Sequence, residues 1–213
     1  AIEELVQMIT ISILVMNTFF FGSGLDGNDT IYAGIGNTVA SLNGGNGNDY
    51  LYGGNGNDYL YGENGNDSLY GNFGNDIFEG GAGSDYLNGG WGNDYLSGFD
   101  VGAFNNLGRY IHNAGEYDTL TGGIGVDTFV LGNNLRGNAY SGTGYATITD
   151  FRFLYEGDRI QIKGNASNFR LRYSYVSGGS AQDTLLYSSN YDLLAVIQDT
   201  TDIALTSKYF NFV

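Results

Sequence analysis

The chain contains no cysteine and no proline in 213 residues, one histidine, one tryptophan and only 8 Lys and Arg. Each scarcity excludes something. Without cysteine there is no disulfide framework and no thiolate metal site, and His112 alone cannot build a nitrogen-ligated one. That lack fits an extracellular protein held together by metal, and it fits a cytosolic one equally. Without proline nothing breaks a chain of uninterrupted coils. Bases are missing from a whole half: residues 1–108 hold 13 Asp or Glu and no Lys or Arg, and the first base is Arg109. With a net charge of −15 there is no basic stripe, so nucleic acid is excluded as a partner. Catalytic patterns are missing too: no helix with paired histidines, no G-x-S-x-G elbow, and no lysine in the glycine turns for a phosphate loop. The aspartates are spaced as ion ligands and not as an acid/base pair in a cleft, so the chain reads as a non-enzyme. At this length one elongated domain with caps is expected.

What is abundant is glycine, 36 residues, and it is periodic. From Gly44 to Ser97 six nine-residue units follow without a break: GGNGNDYLY, GGNGNDYLY, GENGNDSLY, GNFGNDIFE, GGAGSDYLN and GGWGNDYLS. Such a period implies stacked coils sharing one continuous core. Each unit reads as six turn residues and three strand residues. Glycines at positions one, two and four permit positive φ and close backbone approach. The apolar residue at position eight (Leu51, Leu60, Leu69, Phe78, Leu87, Leu96) points inward, with positions seven and nine outward.

The aspartate at position six is the candidate ligand: Asp49, Asp58, Asp67, Asp76, Asp85 and Asp94. Turn carbonyls add oxygens at positions one and three, namely Gly44 and Asn46, Gly53 and Asn55, Gly62 and Asn64, Gly71 and Phe73, Gly80 and Ala82. An all-oxygen set of this kind suits a hard cation with six to eight ligands, so Ca²⁺ is favoured over zinc or copper. Flanking units are degenerate. GLDGNDTIY keeps Asp29, AGIGNTVAS has Thr38 where the aspartate belongs, and NAGEYDTLT and GGIGVDTFV restore Asp118 and Asp127 after an insertion.

These units resemble the RTX (repeats-in-toxin) family, over roughly residues 24–213 and most closely over 44–97. The resemblance implies an all-β fold, a parallel β-roll (β-solenoid) in which two repeats make one coil and a C-terminal β cap follows. Turns of repeats n and n+2 then share an edge and grip one ion between them. That pairs Asp49 with Asp67, Asp58 with Asp76, Asp67 with Asp85, and Asp76 with Asp94. Carboxylates stacked about 5 Å apart repel unless counter-ions intervene, and about six to eight Ca²⁺ would cancel nearly all the charge. The array should be loose without calcium and ordered with it.

Three segments are expected: 1–23 an apolar cap or assembly segment, 24–130 the roll with an insertion at 99–114, and 131–213 the cap. In the first, Glu3 and Glu4 argue against a secretory signal, and Gln7, Thr10, Ser12, Asn17 and Thr18 against a membrane span. Ile9, Ile11, Ile13 and Val15 alternate as a strand, while Leu5, Val6, Ile9, Ile13 and Met16 fit a helix stripe. The segment caps the first coil or adds to a neighbouring molecule to build a fibre. In the last segment YATITDF, DRIQIK, FRLRYSY, DTLLY and LLAVIQD read as strands. Asp150 and Asp158 are ligands there or, in preference, turn and cap residues. The final KYFNFV resembles part of a type I secretion signal, or is a last edge strand. His112, in the insertion, reads as surface decoration.

Outward tyrosines such as Tyr52 and Tyr70 should stack between coils, as packing or as a face for lateral association or glycan contact. The resemblance implies a secreted, extracellular or cell-surface calcium-binding protein with a structural role. Two alternatives stand beside it: a self-assembling filament or surface-layer subunit, and the C-terminal secretion and folding module of a larger exoenzyme.

Overall fold

A computed structural model describes residues 10–12, 19–36, 39–99, 116–133, 137–138, 140, 144–152, 156–175, 181–200 and 203–213. The insertion with His112, most of the first eighteen residues and Thr38 lie outside the described residues.

Successive strands alternate between two sheets, as a two-repeat coil requires. The first sheet collects β1 (Thr10–Ser12), β3 (Thr30–Tyr32), β5 (Tyr50–Asn55), β7 (Ser68–Phe73), β9 (Tyr86–Trp91), β11 (Tyr117–Ile124) and β15 (Tyr145–Ile148) in parallel. It ends in β19 (Leu193–Ile197), β18 (Asp183–Ser188) and β17 (Phe169–Ser174), the last two antiparallel to their neighbours. The second sheet runs β2 (Phe20–Asp26), β4 (Ala40–Asn46), β6 (Tyr59–Asn64), β8 (Ile77–Ala82), β10 (Tyr95–Ser97), β12 (Thr128–Val130), β16 (Arg159–Ile162) and β20 (Phe210–Phe212), all parallel. A small hairpin joins β13 (Gly132–Asn133) and β14 (Gly137–Asn138). The all-β parallel roll is thus the fold, and KYFNFV contributes its last edge strand.

Register follows the apolar position. Ile31, Leu51, Leu69, Leu87, Leu120, Ile148 and Ile197 stack in one sheet. Leu42, Leu60, Phe78, Leu96, Phe129, Ile160 and Phe210 stack in the other. All are buried, each worth roughly 1.5–3 kcal/mol relative to exposure. One such residue per repeat builds no core alone; two facing columns do.

Two expectations need correction. The strands run six residues in β5 to β9, not three, because Gly53–Asn55 and its equivalents stay in register with the next coil (Gly54 opposite Asn72, Asn55 opposite Phe73). Moreover, the residue standing at the aspartate position in the second unit is Ala40, not Thr38. Two extra residues slide that frame, so that Leu42, and not Ala40, lies opposite Leu60.

Outside the core, Tyr32, Tyr52 and Tyr70 stack face to face with centroids 4.5 and 5.0 Å apart, and Tyr86 follows at 5.7 Å with its ring tilted. Their spacing is set by the strand spacing. Among the described residues no helix is long and apolar enough to cross a membrane.

Candidate metal centre

The turns between the strands form two edges, and each carries a column of aspartates. One column is Asp29, Asp49, Asp67, Asp85 and Asp118; the other is Asp58, Asp76, Asp94, Asp127 and Asp158. After the first aspartate of each column, each Oδ1 accepts the backbone N–H of the aspartate one coil earlier. The distances are 2.7 Å from Asp29 to Asp49, 2.8 Å from Asp49 to Asp67 and 2.9 Å from Asp67 to Asp85. On the other edge they are 2.7 Å from Asp58 to Asp76, 2.8 Å from Asp76 to Asp94 and 2.9 Å from Asp94 to Asp127. The four aspartate pairs expected from the repeat therefore stand in contact. Ala40 starts the second column and donates its N–H to Asp58 at 2.7 Å without contributing a carboxylate.

The second oxygen is different. Oδ2 of Asp49, Asp58, Asp67, Asp76, Asp85, Asp94 and Asp127 is buried and meets no hydrogen-bond donor. It faces the position-one glycine of its own turn. A methyl group on Gly44 would stand 2.3 Å from Asp49 Oδ2 and 2.9 Å from the carbonyl oxygen of Gly62. The notch between two oxygens and no donor is the space that glycine keeps open. Position one is thus glycine for room, while positive φ belongs to positions two and four (Gly45 +105°, Gly47 +131°). Position two also accepts Glu63 and Asn72 at +76° and +75°.

Burial governs the electrostatics. Desolvation pushes Asp58 and Asp94 up to about 6, Asp67 and Asp127 to about 7 and Asp76 to about 8. Asp85 reaches about 9, with the Asp118 charge adding to burial, and Asp49 rises as well. The backbone N–H bonds pull down but lose. Anions held in this state are short of positive charge, and a hard cation supplies it without competing donors. Among the described residues no three His, Cys, Asp or Glu side chains converge on one point. Each turn brings one carboxylate to its edge, beside its own backbone carbonyls. The position-three carbonyls of Asn46, Asn64, Phe73 and Ala82 each accept one N–H from the previous coil at 2.7–2.8 Å, which leaves one lone pair each.

Both columns close at their C-terminal ends. Asp118 accepts Asp85 N–H on Oδ1 at 2.9 Å and the Tyr140 hydroxyl on Oδ2. Asp158 accepts Asp127 N–H at 3.0 Å and Arg152 N–H at 2.6 Å. Asp150 takes the amides of Gly122 and Gly123, both at 2.8 Å, as a cap residue does. A further ladder was missed in the repeat: asparagines at position five. Asn28, Asn48 and Asn66 on one edge, and Asn57, Asn75 and Asn93 on the other, each accept the next coil's backbone N–H at 2.7–2.8 Å. Their bonds run opposite in direction to the aspartate bonds, so each coil is tied to the next both ways.

Residues 23–39, 41–69 and 70–98 match the model of the RTX calcium-binding nonapeptide repeat (4 copies). No curated protein matches. A solved structure, the AlgE6R3 subunit from the Azotobacter vinelandii mannuronan C5-epimerase, is similar at 24% identity. It covers 84% of this chain and 82% of its own, with a TM-score of 0.29. The turns that hold the two aspartate columns between residues 23 and 98 match RTX calcium-binding nonapeptide repeats.

Proposed function

We propose that this chain is a secreted, non-enzymatic module that extracellular calcium folds and that then serves a structural role at or beyond the cell surface. The observation that carries the reading is the row of buried, donorless Oδ2 atoms on each edge. The ligands are these aspartates, with Asp29 at the start of the first column, and the position-one and position-three carbonyls of the same turns. Bound calcium supplies the positive charge that the columns lack. The chain's own part is to exclude water from the notches, stack the carboxylates in register and pack the apolar columns once repulsion is removed. By the pairing of successive turns, about six to eight ions are held. Affinity of about 0.1–1 mM, that of extracellular modules, keeps the roll loose inside a cell and folds it outside. The segment at 24–130 is the roll and 131–213 the cap.

Self-assembly into a filament is a second reading, favoured by the sheet ends: among the described residues β1 and β2 come last at one side, β17 and β20 at the other. One experiment separates the readings. Metal-stripped protein is titrated with calcium while far-UV circular dichroism and hydrodynamic radius are followed together. Coil-to-β conversion with contraction is expected. Conversion with growth into long particles supports the filament, and a chain fully folded before any calcium is added contradicts both.

A further inference from the structure

We propose that the edge carrying the second aspartate column is a self-complementary docking surface, and that its occupant is a second copy of this chain laid antiparallel across it. Three observations meet there.

The first is an asymmetry between the two edges. At position three the edge of Asp49 and Asp67 carries Asp26, Asn46 and Asn64, tied by Asn46 Nδ2 to Asp26 at 2.6 Å and by Asn64 Nδ2 to Asn46 at 2.9 Å. The same position on the edge of Asp58 and Asp76 reads Ile35, Asn55, Phe73, Trp91 and Ile124, coil upon coil. Ile35 is 77% exposed, Phe73 53%, Trp91 58% and Ile124 46%. Position five adds Val39 and Val126 at the two ends of Asn57, Asn75 and Asn93. These two columns expose no charge, because the aspartates beneath them are buried, in a chain of net charge −15. A contiguous apolar ridge of this kind marks an interaction site.

The second is a mirror order. Counted outward from the coil of Phe73 and Asn75, position three reads Asn55 then Ile35 one way, and Trp91 then Ile124 the other. Position five reads Asn57 then Val39, and Asn93 then Val126. A two-fold axis crossing the ridge at that coil therefore sets Ile35 on Ile124 of the second copy, Val39 on Val126 and Asn57 on Asn93. Phe73 and Asn75 meet their own equivalents. Each of the three asparagines gives Oδ1 to the next coil's amide at 2.8 Å, which leaves Nδ2 and one lone pair for the facing carboxamide. A self-complementary patch is what an isologous contact requires. Neither a bilayer nor a sugar chain needs such an order, so it favours a second copy.

The third is a groove where the axis sets Trp91 of the second copy. Its facing residue is Asn55, and beside Asn55 lies a groove of about 410 Å³ lined by Val39, Asn55, Gly56, Asn57, Phe73 and Gly74. The bulkiest side chain of the ridge thus meets its one recess, and a tryptophan seated in a pocket is the kind of anchor that dominates an interface. The ridge spans five coils, about 20 Å. A contact that short stays below the roughly 800 Å² per partner of a standard interface, so the pair is reversible and dissociates at about 10–100 µM.

Sedimentation velocity of the full chain in about 1 mM calcium, at about 5–500 µM protein, should show a reversible monomer–dimer equilibrium. Trp91→Ser should raise the dissociation constant about tenfold or more with an unchanged far-UV spectrum, since the ring is exposed in the single chain. Ile35→Glu and Ile124→Lys should each weaken the dimer. The double variant should recover it, because antiparallel copies set glutamate on lysine at both ends. A wild-type chain that stays monomeric throughout overturns the proposal, whether it binds phosphatidylcholine vesicles, a neutral polysaccharide or neither. So do an unchanged dimer in Trp91→Ser and a double variant no tighter than the single ones. Growth past two copies overturns it as well, because a two-fold contact closes on itself.

Discussion

Gly74→Ala should abolish calcium-driven folding of the central coils, or shift its midpoint to calcium concentrations higher by more than tenfold. Gly74 sits at φ +126°, and a methyl group there would lie 1.5 Å from the carbonyl oxygen of Gly56 in the turn one coil earlier. That neighbour is backbone, held in register by Asp58 N–H to Asp76 at 2.7 Å and Asn75 N–H to Asn57 at 2.8 Å, so it cannot step aside. The strain and the clash together exceed about 4 kcal/mol, the range of core-disrupting substitutions. Because folding is linked to ion binding, the loss is read as a demand for more calcium. Gly157→Ala is the matching control. Its φ is +94°, but nothing lies within 4 Å of the added methyl group. It should cost about 1 kcal/mol, the backbone term alone. Calcium titrations of both variants by circular dichroism make the comparison. Equal midpoints would mean that the close approach of the turns is not what the repeat's glycines protect.

Acid should fold the metal-stripped chain and unfold the loaded one. In the calcium-free roll the aspartates from Asp58 to Asp127 have folded pKa values raised to about 6–9 from an ordinary 3.8. Between those limits the folded state binds more protons than the unfolded one. Stability is therefore fully present below about pH 4 and is lost as pH rises through the folded values. Each proton does part of what calcium does. With calcium bound the sign reverses, since the ligands must be ionised and acid releases the ion. Thermal melts at about pH 5 and about pH 8, with and without calcium, read both slopes. The stripped protein should melt higher at the lower pH and the loaded protein higher at the higher pH. Parallel slopes in the two states would mean that the buried carboxylates are not where calcium acts.

Much of this architecture is legible in the period. The phase of Leu60, Phe78 and Leu96 fixes the inward face, and spacing by two repeats brings Asp58 against Asp76. The C-terminal strands show through their alternation, but not their order: nothing in DTLLY says that it lies between FRLRYSY and LLAVIQD as an antiparallel insert. Ala40 escapes because two added residues break the count, and only the apolar Leu42 marks the new frame. The asparagine ladder is visible as Asn48, Asn57, Asn66, Asn75 and Asn93 at position five, a recurrence that turn propensity alone would also give. Strict phase was the signal that it did more. Tyr140 carries no such signal, because its partner Asp118, 22 residues away, is fixed by the fold outside the regular period.

The most direct measurement is the anomalous signal of crystals grown in calcium. Ions should lie between successive turns along both edges, beside Oδ2 of Asp49, Asp67 and Asp85 on one and of Asp58, Asp76 and Asp94 on the other. Crystals of the same roll with ordered turns and no anomalous peaks beside those oxygens would contradict the assignment of the aspartate columns to calcium.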